Sequence, residues 1–214
     1  MSASARRTTT ASSIDGRSRG EGTPADTSGG ICAMTPSLEL VRPEPALRES
    51  YRGLVAEFVA AGEALIPFTL AFGHDDFAAF LARLEACARG IGVPAGFVAH
   101  STYWLVRDRT EVVGVSNLRH ALTPALSREG GNIGYGVRPT ARRQGLGVAI
   151  LRHSLMRAGE IGLARVLVTC GSLNVASAGV IRRNGGVLDS EEYLPDRGET
   201  VQRYWIEIRS NSGA

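Results

Sequence analysis

Apolar positions along the chain follow two periods, and the switches between them predict the elements. Leu38-Glu39-Leu40-Val41-Arg42 alternates and stops at Pro43, which reads as a short strand. From Glu44 to Ala61, Leu47, Tyr51, Leu54, Val55 and Phe58 recur at spacings of three and four, the stripe of an amphipathic helix. Asp75 and Asp76 precede Phe77, Phe80, Leu81 and Leu84, so a second helix starts on acidic residues suited to capping and to the dipole. Gly90 to Gly96 breaks that pattern. Ser101–Arg107 and Glu111–His120 are rich in β-branched and aromatic residues, and the short Asp108-Arg109-Thr110 connection joins them as a hairpin. Ala121 to Gly131 reads as loop, with Pro124 and paired Gly130-Gly131. Then follow a strand over Asn132–Val137, a helix from about Leu146 to Ile161, a strand over Arg165–Cys170, and a short helix over Asn174–Arg183 closed by Asn184-Gly185-Gly186. Val187–Tyr193 and Thr200–Arg209 are two closing strands. Strands and helices mix without regular βαβ alternation, so the class is α+β.

Residues 1–34 depart from this patterning. They are rich in Ser, Thr, Gly, Ala and Arg and carry few large apolar side chains, too few to offset their ordering entropy. The segment reads as a disordered tail, or as an upstream extension with the natural start at Met34, followed by one domain over 35–210. Hydrophobic residues make up 43% of the 214 and charged residues 21%, enough for a real core. No apolar run reaches the ~18–20 residues of a membrane span. Cys32, Cys87 and Cys170 are odd in number and form no CxxC pair, which disfavours a disulfide framework and fits the reducing cytoplasm. His74, His100, His120 and His153 lack metal-ligand spacing, so no metal is expected. The net charge of +3 is small for a dedicated nucleic-acid binder. All 24 basic residues are arginine, which excludes a Schiff-base or P-loop lysine and any self-acetylation on a side-chain amine.

The stretch with most chemistry is Val137-Arg138-Pro139-Thr140-Ala141-Arg142-Arg143-Gln144-Gly145-Leu146-Gly147. A strand ends, a glycine-bearing turn follows and a helix starts. Free N–H groups and the positive dipole end at a helix start attract anions, and Arg138, Arg142 and Arg143 surround this one. The loop therefore reads as a phosphate or pyrophosphate cradle. It is not a GxGxxG fingerprint, because Ile150 stands three after Gly147, and not a Walker A loop, because no Gly-Lys-Ser/Thr follows. Taken alone it is equally an ordinary strand–turn–helix junction with solvated arginines.

Arg142-Arg143-Gln144-Gly145-Leu146-Gly147 resembles the Arg/Gln-x-x-Gly-x-Gly/Ala signature of the GCN5-related N-acetyltransferases, the GNAT superfamily. Val137-x-Pro139, Asn174-x-x-Ser177 and Asn184-Gly185 match further family positions, and the element order fits from Leu38 to Arg209. Asn117-Leu118-Arg119-His120, Ile133-Gly134-Tyr135, Thr169-Cys170, Asn184-Gly185-Gly186 and Arg203-Tyr204-Trp205-Ile206 are similar to a bacterial subgroup of predicted acetyltransferases. The resemblance implies a mixed, mostly antiparallel central sheet of about six to seven strands flanked by helices. Acetyl-CoA would enter between two splayed parallel strands, Asn132–Val137 and Arg165–Cys170. Its pyrophosphate would rest on the backbone N–H groups from Arg143 to Gly147. A bulge near Val137 would free backbone groups for pantetheine and oxyanion, and Asn174 and Ser177 would contact the pantetheine arm. The family also implies direct transfer to a primary amine, on a small molecule or a protein, and frequent homodimers.

Two family features are missing. The position of the usual proton-donating tyrosine is Ile181, and the positions of the usual carboxylate are about Gly131 and Asn132. His120, Glu129, Tyr135 and Tyr193 are the substitutes the sequence offers: an imidazole with an ordinary pKa near 6.5, a carboxylate just before the fourth strand, and two phenols, the first of them within that strand. The first three also have plain roles, as strand cap, solvated charge and packing residue. Cys170 follows an apolar strand without an obvious histidine partner and reads as an inert thiol. Asp75, Asp76, Glu191, Glu192 and Asp196 would favour a cationic acceptor if they line its site. Loss of the usual acid and base also motivates a non-catalytic acyl-CoA-binding module. A nucleic-acid module using Arg138, Arg142, Arg143, Arg152, Arg182 and Arg183 is disfavoured, because the CoA phosphates already account for arginines there.

Overall fold

The structure, a computed structural model, describes residues 36–208. The expectations for residues 1–34 lie outside those residues. Strands β1 (Leu38–Val41), β2 (His100–Arg107), β3 (Glu111–Arg119) and β4 (Ile133–Val137) form a four-stranded antiparallel sheet in sequence order. Strands β5 (Arg165–Gly171), β6 (Val187–Leu194) and β7 (Glu199–Glu207) form a second antiparallel ladder, ordered β5-β7-β6. Within the three-residue β2–β3 connection Asp108 and Arg109 take positive φ, 48° and 59°, and Thr110 N–H bonds back to Arg107 C=O at 3.1 Å to close a tight turn.

Helices cover both faces of the first sheet. α1 (Arg48–Ala60) and α2 (Phe77–Ala88) bury the striped residues Tyr51, Leu54, Val55, Phe58, Phe80 and Leu84 against Trp104, Val106, Val112 and Val115. Tyr51 stacks on Trp104 with centroids 4.6 Å apart. The Asp76 carboxylate caps α2 by accepting from Ala79 N–H at 3.0 Å, as its place before the apolar stripe predicts. On the other face α4 (Leu146–Glu160) and α5 (Val175–Arg183) bury Ile150, Leu151, Ala158 and Ile181 against Leu105, Leu118, Ile133 and Val168. Because β2 and β3 are covered on both faces, their sequences read as nearly continuous apolar runs rather than clean alternations.

Two expectations need correction. The 121–131 connection contains a short helix, α3 (Pro124–Arg128), capped by Thr123, whose Oγ1 accepts from Leu126 N–H at 3.2 Å. Thr followed by Pro is a cap followed by a first-turn residue; reading Pro124 only as a breaker hid it. The ladder between β3 and β4 also runs from Leu118–Ile133 to Gly114–Val137 without a register shift, so no bulge lies near Val137.

The two ladders join at Asn132. Its N–H donates to Leu167 C=O at 2.7 Å, and its Oδ1 accepts from Leu167 N–H at 2.9 Å. On the other side its C=O accepts from Arg119 N–H at 2.7 Å and its Nδ2 donates to Arg119 C=O at 3.3 Å. This buried amide thus bonds β3 and β5 at once, and past it β4 and β5 are edges of separate ladders.

Candidate active site

At the exit of β4 the chain turns through Pro139–Ala141 and reaches α4 with Arg143 at φ +63° and Gly145 at φ +78°. Gly145 is the helix N-cap, in a left-handed conformation that a side chain would strain, with open space where a Cβ would stand. Leu146 anchors the helix start in the core, and Gly147 lets it close onto Val180 of α5. Among the described residues, the N–H groups of Arg143, Gln144, Gly145, Leu146 and Gly147 have no hydrogen-bond acceptor, whereas Val148 and Ala149 N–H groups bond back to Gly145 C=O. Consecutive partnerless donors at the positive end of a fifteen-residue helix form an anion cradle.

The arginines there divide in function. Arg138 turns away from the cradle: its Nε donates to Glu57 at 2.7 Å, with Glu111 at 3.7 Å, and its side chain is only 16% exposed. Glu57 also accepts from Thr140 N–H and Oγ1, and so pins the turn to α1. Arg142 is held bidentately by Glu63 at 2.6 and 2.7 Å and donates through Nε to Val137 C=O at 3.1 Å. Gln144 accepts from Arg107 at 3.0 Å. Arg143 is exposed and has no carboxylate partner among the described residues, so of these arginines it is the one placed to meet a phosphate. The sequence could not show this division, because Glu57 and Glu63 lie some eighty residues upstream.

Along β4 the end bonds Arg119 N–H to Asn132 C=O and Arg138 N–H to Val113 C=O fix the alternation. The backbone groups of Ile133, Tyr135 and Val137 therefore face away from β3, toward β5. The free groups expected from a bulge are supplied instead by a regular edge strand.

Tyr135 reaches across this gap. Its hydroxyl lies 3.1 Å from Ser177 Oγ on α5, and burial pushes its pKa up to about 12. Asn174 caps α5, its Oδ1 accepting from Ser177 N–H at 2.9 Å, which leaves its Nδ2 as a donor at the helix start. Ile181, at the family's tyrosine position, is fully buried. Cys170 is buried, and burial raises its thiol pKa, as an inert thiol requires.

His120 and Glu129 lie at the Asn132 end of β4, where other residues engage their side chains. His120 follows Arg119, whose N–H bonds Asn132 C=O, and so stands level with the start of β4 rather than with its Val137 end. Its Nε2 is within 2.9 Å of Ser101 Oγ, and burial lowers its pKa. Glu129 follows α3 at the far end of β4 and pairs with Arg197 at 3.3 Å. At Gly131 a Cβ would collide with the Leu167 carbonyl, so the joint itself excludes the family's carboxylate there.

Residues 52–187 match the family model described as an acetyltransferase (GNAT) domain. The chain belongs to the GNAT acetyltransferase family. Membership makes it an N-acetyltransferase that draws on acetyl-CoA. RimL, a ribosomal L7/L12 alpha-N-protein acetyltransferase solved in complex with coenzyme A, is 20% identical with a TM-score of 0.58, over 80% of this chain and 94% of that one. The putative acetyltransferase yncA from Salmonella typhimurium, solved with acetyl-CoA, is 12% identical with a TM-score of 0.55, over 82% and 96%. The Microcin C7 self immunity acetyltransferase MccE, in complex with acetyl-CoA and AMP, is 15% identical with a TM-score of 0.57, over 80% and 92%. At these identities the likeness is one of fold. No curated protein sequence matches significantly. Among the described residues no cluster of metal-ligating side chains occurs, and no helix is long and apolar enough to cross a membrane.

Proposed function

We propose that this acetyltransferase domain, residues 35–210, holds acetyl-CoA with its pyrophosphate on the N–H groups from Arg143 to Gly147 and passes the acetyl group directly to a primary amine. The observation that carries the reading is the run of partnerless donors at the start of α4. Arg143 adds a charge-assisted contact to a phosphate, and the Asn174 amide meets the pantetheine arm. Acetyl-CoA supplies an activated thioester. The outward backbone N–H groups of Tyr135 and Val137 stabilise negative charge on the carbonyl oxygen as the amine attacks. Holding amine and thioester together removes much of the entropic barrier.

Tyr135 takes the role of proton donor to the departing thiolate. Its raised pKa keeps the phenol protonated at neutral pH, and it approaches the gap from β4 where the family's tyrosine would come from α5. His120 and Glu129 are instead engaged by Ser101 and Arg197. The acceptor amine belongs to a small molecule or a protein. The free thiols of Cys87 and Cys170 support a cytoplasmic setting, and the homodimer implied by the family stays within this reading.

Calorimetric titration of acetyl-CoA tests the cradle. Wild type is expected to bind acetyl-CoA. Gly145→Glu combines a strained φ with a carboxylate among the donors and is expected to weaken binding at least 100-fold, with the fold retained by circular dichroism. Equal affinity in the two proteins would remove the cradle from the mechanism.

A further inference from the structure

We propose that Arg119 binds a carboxylate carried by the acceptor, so that the amine substrate is an amino acid rather than a simple amine. The proposal rests on the acetyltransferase reading above and names the substrate class for that same site. Arg119 closes β3 beside the first residues of β4. Its Nη1 donates to Gly130 C=O at 2.9 Å and to Gly131 C=O at 3.0 Å. Its Nε and Nη2 have no hydrogen-bond partner among the described residues, and no carboxylate of those residues lies within 4.0 Å of it. Burial alone pulls its pKa below the usual arginine range, which marks a desolvated cation without a counter-charge. Removing a charge from water is costly, and such groups are ordinarily paired. The other half-buried arginines of this domain follow that rule: Arg138 meets Glu57, and Arg203 meets Glu192 at 2.6 Å.

The surroundings have the same character. The guanidinium lies 5.6 Å from the Phe68 ring, which makes edge contacts with Phe72, Phe97 and His100. Phe97 is 54% exposed, so this aromatic cluster opens to solvent. Arg83 stands 3.7 Å over Phe72 and likewise has no carboxylate partner among the described residues. Burial, and then the charges of Arg119, His120 and Arg83, lower the His100 pKa to about 4, so His100 adds no charge at neutral pH. Two residues before Arg119 on the same face, Asn117 Oδ1 is buried without a hydrogen bond. Three of the five acidic residues that would have favoured a cationic acceptor are occupied elsewhere. Asp76 caps α2, Glu191 accepts from Gln202, and Glu192 pairs with Arg128 and Arg203.

Position ties this cation to the chemistry. A Cβ on Gly134 would stand 4.0 Å from Arg119 Nη1 and 3.7 Å from the Pro67 ring, and the next residue is Tyr135. At Gly136 the same place is taken by the Ile66 carbonyl, so the segment before Phe68 closes over the strand there. Arg119 Nη1 thus stands beside Gly134 on β4, one residue from Tyr135, and a carboxylate forked on the free Arg119 donors is held next to the strand that faces the thioester. An amine a few bonds from that carboxylate can reach it, and the open aromatic rings take an apolar side chain.

The test measures CoA release with three matched sets of acceptors: the common amino acids, their carboxamides and the corresponding decarboxylated amines. Acetyl-CoA binding is measured in parallel on each protein. The expected result is that wild type acetylates at least one amino acid with kcat/KM tenfold or more above its carboxamide and its decarboxylated amine. In Arg119→Met that preference falls to about twofold or less while acetyl-CoA affinity is kept. If Arg119→Met does not fold, Arg83→Gln is expected to reduce the same ratio by a smaller factor, and the wild-type ratio stands as a test by itself. Acetyl-CoA binding with equal use of acids and neutral amines, or with no amino acid acetylated, overturns the proposal and leaves the acetyltransferase reading intact. Absence of acetyl-CoA binding overturns that reading first.

Discussion

Replacing Asn132 by alanine tests the joint between the two ladders, on which the opening between β4 and β5 depends. The side chain is 3% exposed and makes two bonds that alanine cannot. Removing Oδ1 leaves the buried Leu167 N–H without its acceptor, a loss of about 1–3 kcal/mol. Removing Nδ2 forfeits the longer 3.3 Å bond to Arg119 C=O, about 0.5–1 kcal/mol. The sum is about 2–4 kcal/mol. For a domain of this size each kcal/mol moves Tm by about 2–4 °C, so a fall of about 5–15 °C is expected. Asn174→Ala is the matched control. It deletes the same side chain from an exposed helix cap with a single 2.9 Å bond, at a cost of about 1 kcal/mol. Urea unfolding with a common m-value compares the two directly. If Asn132→Ala costs no more than Asn174→Ala, Asn132 is not the clamp and the two ladders are held together by packing alone.

Two further outcomes follow from the same geometry. Tyr135→Phe keeps the ring and removes the proton; kcat is expected to fall about 100-fold while acetyl-CoA affinity stays within twofold, and an unchanged kcat would assign the leaving-group proton elsewhere. Burial raises the Glu57 pKa, but the bonds from Thr140 and Arg138 outweigh it, so the folded-state value lies below the ordinary 4.5. A depressed carboxylate stabilises the fold above the unfolded-state pKa, and this contribution is lost as pH falls from about 4.5 through the folded value. Glu57→Gln should therefore lie below wild type in stability at pH 7, and the difference should shrink below pH 4. A constant difference across that range would show that Glu57 acts by packing.

The sequence by itself determined all the longer elements and the glycine turn that opens α4. Amphipathic stripes over α1 and α2, the Asp76 and Asn174 caps, the β2–β3 hairpin and the glycine turn before α4 are local features, and each depends on residues within one or two turns of one another. The partnerless N–H groups from Arg143 to Gly147 follow from where a helix starts, which the sequence states directly. Tertiary structure decided what those elements do to one another. It turned Arg138 and Arg142 from cradle ligands into ion-pair partners of Glu57 and Glu63, and it engaged His120 with Ser101 and Glu129 with Arg197. It brought Tyr135 to Ser177 and made Asn132 the hinge point of two ladders. It also left Arg119 without a carboxylate. The physical reason is common to all of these. Ion pairing, burial and strand register are set by groups tens of residues apart, and a charge shows whether it is neutralised only when the surfaces that meet it are in place.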